Sequence, residues 1–246
     1  MTDKALHTES LTRRFGGILA VDGCSITVER GSITGLIGPN GSGKTTLFNL
    51  ITGVYNPDTG EVYLNGNRVT KTRSSKLCHL GLSRTFQITR LFWDLSVLEN
   101  MIVPVRHVGF RSLLAPDIQR TEEDRAMVLL QRVGLEHLRD EPARKLSFGQ
   151  QKLLEFAAVL MSEPEIVLLD EPAGGVNPTM IQFMMNLIRD LKREQGITFL
   201  IVEHNMNFVM ELCDHVIVLD QGRKIAEGSP QIIQSDPAVL DAYLGN

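Results

Sequence analysis

Eight residues, Gly38-Pro39-Asn40-Gly41-Ser42-Gly43-Lys44-Thr45, follow the apolar run Ile33–Ile37 and precede a stretch in which Leu47, Leu50 and Ile51 recur at helical spacing up to Gly53. They fit G-x-x-x-x-G-K-[ST] in the strand–loop–helix setting that gives this pattern its meaning. A glycine-dense loop can curl until successive backbone N–H groups converge on an anion, and the helix N-terminus behind it adds partial positive charge. Lys44 then faces the β- and γ-phosphates of a nucleoside triphosphate, with the Thr45 hydroxyl placed for Mg²⁺ and Thr46 beside it.

A second site follows from Ile166-Val167-Leu168-Leu169, which runs directly into Asp170-Glu171-Pro172. Four apolar residues bury a strand, so the carboxylates emerge at its C-terminal end, where open α/β sheets bind their ligands. Asp170 is placed as the partner of Mg²⁺, and Glu171 to orient or deprotonate an attacking water. Together with the phosphate loop, adjacent acids at a strand end point to hydrolysis.

The remaining patterns set the fold class. Ser25–Val28, the Gly31-Ser32 turn and Ile33–Ile37 read as two strands, and Glu61–Leu64 with Asn65-Gly66 as a hairpin after the turn Asn56-Pro57-Asp58-Thr59-Gly60. Residues 88–160 hold few strand-like runs: an irregular, partly basic stretch from Pro104 to Pro116 leads to a helix expected from Thr121 through Gln131, where Thr121-Glu122-Glu123-Asp124 resembles a capping box. Strand character returns at Ile166–Leu169, Thr198–Val202 and Val216–Leu219, separated by helical patterns of which Thr179–Arg193 is the clearest. This alternation predicts an α/β fold, a mainly parallel sheet covered on both faces, with a helical insertion.

Composition narrows the partners. Among 246 residues, 25 Lys and Arg stand against 29 Asp and Glu, a net charge of −4, which argues against a nucleic-acid partner. The 43% hydrophobic and 22% charged fractions exclude disorder and coiled coil as the main state. Cys24, Cys78 and Cys213 match no zinc spacing and read as reduced thiols. No charged-then-apolar leader is expected at the N-terminus, and no apolar run approaches the roughly 18 residues of a membrane span. A membrane role would have to come through a partner.

Upstream of the acidic strand, Lys145-Leu146-Ser147-Phe148-Gly149-Gln150-Gln151 resembles the L-S-G-G-Q signature of ABC-type ATPases. Other landmarks of that family occur in order along essentially the whole chain. The resemblance implies a P-loop NTPase fold with a RecA-like parallel core sheet, an antiparallel β subdomain and a helical insertion: one cassette, 1–246, with 1–87 and 162–246 as nucleotide-binding core and 88–161 as helical subdomain. It implies ATP and Mg²⁺, with Phe15 stacking on adenine and Gly38–Thr46 holding phosphates. Ser147, Gly149 and Gln150 would contact ATP, Gln87 would sense the γ-phosphate and share the metal with Thr45 and Asp170, and Glu171 with His204 would carry the catalysis. Phe148 departs from the first signature glycine, Phe15 from the commoner tyrosine, and Gly174-Gly175-Val176-Asn177 from the usual D-loop.

The signature also makes physical sense. Ser147 opens a helix whose apolar spacing runs from Gln150 to Met161, so its hydroxyl and nearby N–H groups form a second anion site. One chain cannot apply both anion sites to one phosphate, whereas a two-fold dimer can, twice. ATP would then hold the pair together, and hydrolysis would release it.

Arg84-Thr85-Phe86-Gln87, Phe15-Gly16-Gly17, Glu203-His204-Asn205-Met206 and the tail Asp236–Gly245 resemble the ATP-binding subunits of bacterial branched-chain amino acid importers, with the urea importer's and the lipopolysaccharide-export ATPases as near relatives. The resemblance implies a second ATPase subunit, integral membrane permeases, a periplasmic or surface binding protein acting indirectly, and a peripheral position on the cytoplasmic face of the membrane. Leu91, Phe92 and Trp93 are expected to be exposed and to line the permease groove. A soluble, non-transport ABC ATPase is the alternative class, and a P-loop kinase or GTPase is disfavoured by the Ser147–Gln151 motif and His204.

Overall fold

The computed structural model describes residues 3–85, 91–103 and 116–244. Its elements follow in the order β1 (Lys4–Phe15), β2 (Ile18–Cys24), β3 (Thr27–Glu29), β4 (Ile33–Ile37), α1 (Lys44–Ile51), β5 (Thr59–Leu64), β6 (Asn67–Arg68), α2 (Ser74–His79), β7 (Leu82–Arg84), α3 (Val97–Ile102), α4 (Pro116–Arg132) and α5 (Phe148–Leu160). Then come β8 (Ile166–Asp170), α6 (Pro178–Gln195), β9 (Thr198–Val202), α7 (Met206–Leu212), β10 (His215–Asp220), β11 (Arg223–Gly228), α8 (Pro230–Ser235) and α9 (Pro237–Leu244).

Two sheets result. The larger has the strand order β11-β10-β4-β9-β8-β7, parallel except for β11, which pairs antiparallel to β10. Every residue of β4, β8 and β9 is buried, because helices or the second sheet cover both faces. Alternate residues feed separate cores. Val167, Leu169, Phe199 and Ile201 face the helices α3 to α7, and Ile166, Leu168, Leu200 and Val202 face α1 and the second sheet. That sheet is antiparallel, ordered β2-β1-β5-β6, with β3 also paired to β1.

Two expectations need correction. α4 begins at Pro116, not at Thr121, so Thr121-Glu122-Glu123-Asp124 lie within the helix; proline's fixed φ suits a first helical turn, and an S/T-x-x-E/D pattern inside a helix caps nothing. Ser25 and Ile26 precede β3, and residues 4–24 form two strands that no alternation in the sequence announced.

The parallel order reverses around β4: the next parallel strand in sequence, β7, lies at the far edge, while β10 lies on β4's other side. Such a reversal opens a crevice at the carboxyl ends of the strands, which is where ligands bind in these sheets. The phosphate loop, Asp170-Glu171 and Glu203-His204 all leave the sheet at that edge.

Candidate nucleotide site

Between β4 and α1 the chain passes Gly38 and Gly43 at φ 150° and 100°, in the left-handed half of the map. A Cβ at Gly38 would lie 2.0 Å from the Leu219 carbonyl oxygen, and one at Gly43 would lie 2.4 Å from that of Ala20. These two glycines therefore fix the loop against β10 and β2 from behind, and its outer side stays open: Asn40, Gly41 and Thr45 are exposed, Pro39 and Thr46 half-buried. The Lys44 ammonium donates to the carbonyls of Gly38 and Pro39, both at 2.9 Å. Burial holds its pKa below the usual lysine range, opposed by the negative charge of Glu171. An ammonium seated on neutral carbonyls, in a loop open on one side, fits a phosphate chain.

At the end of β8 the two acids part ways. Asp170 is buried and accepts from Arg84 Nη2 at 2.8 Å. Desolvation pushes its carboxyl up from the ordinary range, and the Arg84 hydrogen bond pulls it back. Arg84 also donates to Asn49 Oδ1 at 2.6 Å and Thr52 Oγ1 at 3.0 Å, and its guanidinium lies 4.7 Å from the Phe48 ring centre, so it ties Asp170 to α1. Glu171 adopts φ 50°. Its N–H donates to the Val202 carbonyl at 2.9 Å, and its own carbonyl accepts from Gly174 N at 3.1 Å and Lys152 Nζ at 3.2 Å. Its Oε1 lies 3.8 Å from Nδ1 of His204, which is 62% exposed.

Glu203 binds the two loops together. Its carboxylate is fully buried and accepts from the backbone N–H groups of Ala173, His204 and Asn205 at 2.7, 2.9 and 3.0 Å. A buried charge persists only when so satisfied. One carboxylate thus joins the segment after Glu171 to the segment carrying His204. The sequence marked Glu203 only as part of a motif; the one signal of its role was an acid immediately after four apolar strand residues.

Ser147 caps α5 in a reciprocal box: its Oγ accepts from Gln150 N at 3.4 Å, and Gln150 Oε1 accepts from Ser147 N at 2.9 Å. Both residues face outward, and Gly149 packs on Met180 of α6. Phe148 lies against Gly175. Phe15, at the end of β1, is partly exposed, with the Arg13 guanidinium 4.9 Å from its ring centre and the Tyr55 ring edge-on at 5.3 Å. Gln87 lies outside the described residues. Lys44, Asp170, Glu171 and His204 therefore meet at one sheet edge, whereas Ser147 presents its N-terminus outward. Leu91 departs from expectation: it is buried, and only Phe92 and Trp93, at 54% and 45%, are exposed. The oxygen donors of Thr45 and Asp170 fit Mg²⁺ better than a softer metal.

A family described as ABC transporter matches residues 21–174, which span the phosphate loop, the signature and the acidic strand end. The chain belongs to the ABC transporter family of ATP-binding cassettes. It is an ABC-type ATPase by family and fold. A second family, described as branched-chain amino acid ATP-binding cassette transporter, matches residues 223–246 of the cassette. The high-affinity branched-chain amino acid transport ATP-binding protein BraF of Pseudomonas aeruginosa is 39% identical, covering 100% of this chain and 99% of that protein. The crystal structure of a nucleotide-free ATP-binding cassette from an ABC transporter superposes with a TM-score of 0.89 at 36% identity, covering 99% of this chain and 100% of the other. The dimeric post-hydrolysis structure of an ATP-binding cassette bound to ADP and Pi gives a TM-score of 0.79 at 25% identity, over 92% and 98%. Among the described residues no helix of this cassette is long and apolar enough to cross a membrane.

Proposed function

We propose that the cassette is the ATP-hydrolysing motor subunit of an importer for branched-chain or other hydrophobic amino acids. The match of residues 223–246 to the branched-chain cassette family carries the substrate class. In this reading two cassettes close head to tail. Lys44 and the loop Gly38–Thr46 of one hold the phosphates while Phe15 stacks on adenine, and Ser147, Gly149 and Gln150 of the other cover the γ-phosphate. Glu171 takes the proton of the attacking water, and His204, 3.8 Å from its carboxylate, orients both groups on the γ-phosphate. Thr45, Asp170 and Gln87 would hold Mg²⁺, which would supply positive charge against the phosphates. The dimeric post-hydrolysis relative supports this arrangement.

The motor needs a membrane partner, and an apolar groove suits one. A cavity of about 290 Å³ beside β7, lined by Val54, Leu77, Leu82, Leu91 and Phe92, is assigned to a cytoplasmic helix of the permease. The cassette then works as a peripheral subunit on the cytoplasmic face, with a periplasmic or surface binding protein delivering solute to the permease. Uptake by cells lacking the chain tests this reading. Uptake of labelled leucine, isoleucine and valine should fall, and should return with the wild-type chain but not with Lys44→Ala. Normal leucine uptake together with a loss of urea uptake would contradict the substrate assignment.

A further inference from the structure

Glu171 is the one acid at the sheet edge whose backbone is strained. A non-glycine residue at φ 50° is strained and persists only where its surroundings over-determine it. Its N–H is tied to β9, and its carbonyl accepts from Gly174 N at 3.1 Å and Lys152 Nζ at 3.2 Å. Lys152 thus holds the backbone of the strained turn from which the Glu171 carboxylate projects.

Lys152 is itself held. It is buried on the second turn of α5, and its Nζ lies 5.7 Å from the Phe148 ring centre, one helical turn earlier. The Phe148 ring rests on Gly175: a Cβ there would approach Phe148 Cε1 to 2.8 Å, so the ring and the glycine fit each other. The start of α5 thus touches the Glu171–Asn177 segment through Lys152 to the Glu171 carbonyl and through Phe148 to Gly175. A glycine at position 148 would make neither the ring contact nor the face above Lys152.

We infer that Lys152 and Phe148 are a positioning pair that holds the Glu171 turn and ties it to the Ser147 end of α5. The inference rests on the proposed roles of Glu171 as base and Ser147 as cover of the facing γ-phosphate. Under those roles each chain links two ATP sites: the phosphate that its Ser147 covers and the phosphate that its Glu171 attacks. Seating of α5 on one nucleotide is then transmitted, through two side chains, to the carboxylate serving the other.

Steady-state hydrolysis and ATP binding by the full-length chain test this, with assembly partners added where turnover requires them. Lys152→Met should lower kcat about tenfold, the loss of one charge-assisted hydrogen bond converted into rate, while KM for ATP stays within about twofold. Lys152→Arg should restore most of the rate. Phe148→Ala, at a half-exposed ring, should lower kcat about threefold with the same unchanged KM, and carries the comparison if Lys152→Met does not fold. Added to Glu171→Gln, Lys152→Met should have no further effect, because it acts through the absent carboxylate. Unchanged kcat, a raised KM at constant kcat, or an equal further loss in the Glu171→Gln background would overturn the pairing. Wild-type hydrolysis by Glu171→Gln alone would instead overturn the role of Glu171.

Discussion

Lys44 shows how far single residues can be read. Its ammonium is partly desolvated and donates to neutral oxygens, the Gly38 and Pro39 carbonyls and the Ser42 hydroxyl, so a polyphosphate offers it a directly bound negative charge. Lys44→Ala should weaken ATP binding by about tenfold or more in calorimetry; unchanged affinity would remove Lys44 from the site. The cysteines give an independent check. Burial pushes the Cys24 thiol up to about 11 and the Cys213 thiol up to about 12, so at pH 8 both remain protonated, and the thiolate is the reactive form. An aromatic disulfide reagent at pH 8 should label Cys78 in the native chain, and Cys24 and Cys213 only in denaturant. Rapid labelling of a second native thiol would mean that the core around β2 or α7 opens.

At the scale of elements, α5 separates a structural role of Ser147 from a functional one. Ser147→Ala removes half of the capping box and should cost about 1 kcal/mol, a fall of about 2–4 °C in Tm. Ser147→Asp keeps an acceptor at the cap and suits the helix dipole, so its Tm should match the wild type. It should nevertheless abolish ATP-driven pairing, since its charge would repel a γ-phosphate; retained pairing would confine Ser147 to capping. α6 ends on Gly196 at φ 67°, with nothing within 4 Å of an added Cβ, so Gly196→Ala should cost about 1–2 kcal/mol in urea unfolding through backbone strain alone. The buried strands β8, β9 and β10 were legible because each carries a short apolar run, whereas β7, Leu82-Ser83-Arg84, carries none and was missed. β1 and β2 were not legible either: buried and exposed residues do not alternate regularly along them, and register shifts along β1 break the pattern that would announce a strand. Thr121 misled because a capping pattern carries no information about whether a helix has already begun.

The whole molecule joins a parallel sheet, a helical face and an antiparallel sheet so that distant motifs share one edge. Each motif could be placed along the sequence by its strand or helix, but the contacts between them could not. Arg84 on Asp170, Lys152 on the Glu171 carbonyl, and Glu203 bridging Ala173 and His204 join residues with no local spacing to betray them. Leu91 was misplaced for the same reason: its burial depends on which elements pack over it, and the run Leu91-Phe92-Trp93 does not reveal that. The central claim is also one of whole-molecule geometry, an active centre divided between two chains. Glu171→Gln should bind ATP normally, hydrolyse it at least about tenfold more slowly, and accumulate closed. The decisive measurement is a structure of that variant, with its partner cassette, trapped with ATP and Mg²⁺. The Ser147 hydroxyl should lie within hydrogen-bonding reach of the γ-phosphate held by Lys44 of the facing chain. A Ser147 helix pointing into solvent, with each triphosphate enclosed by a single chain, would contradict it.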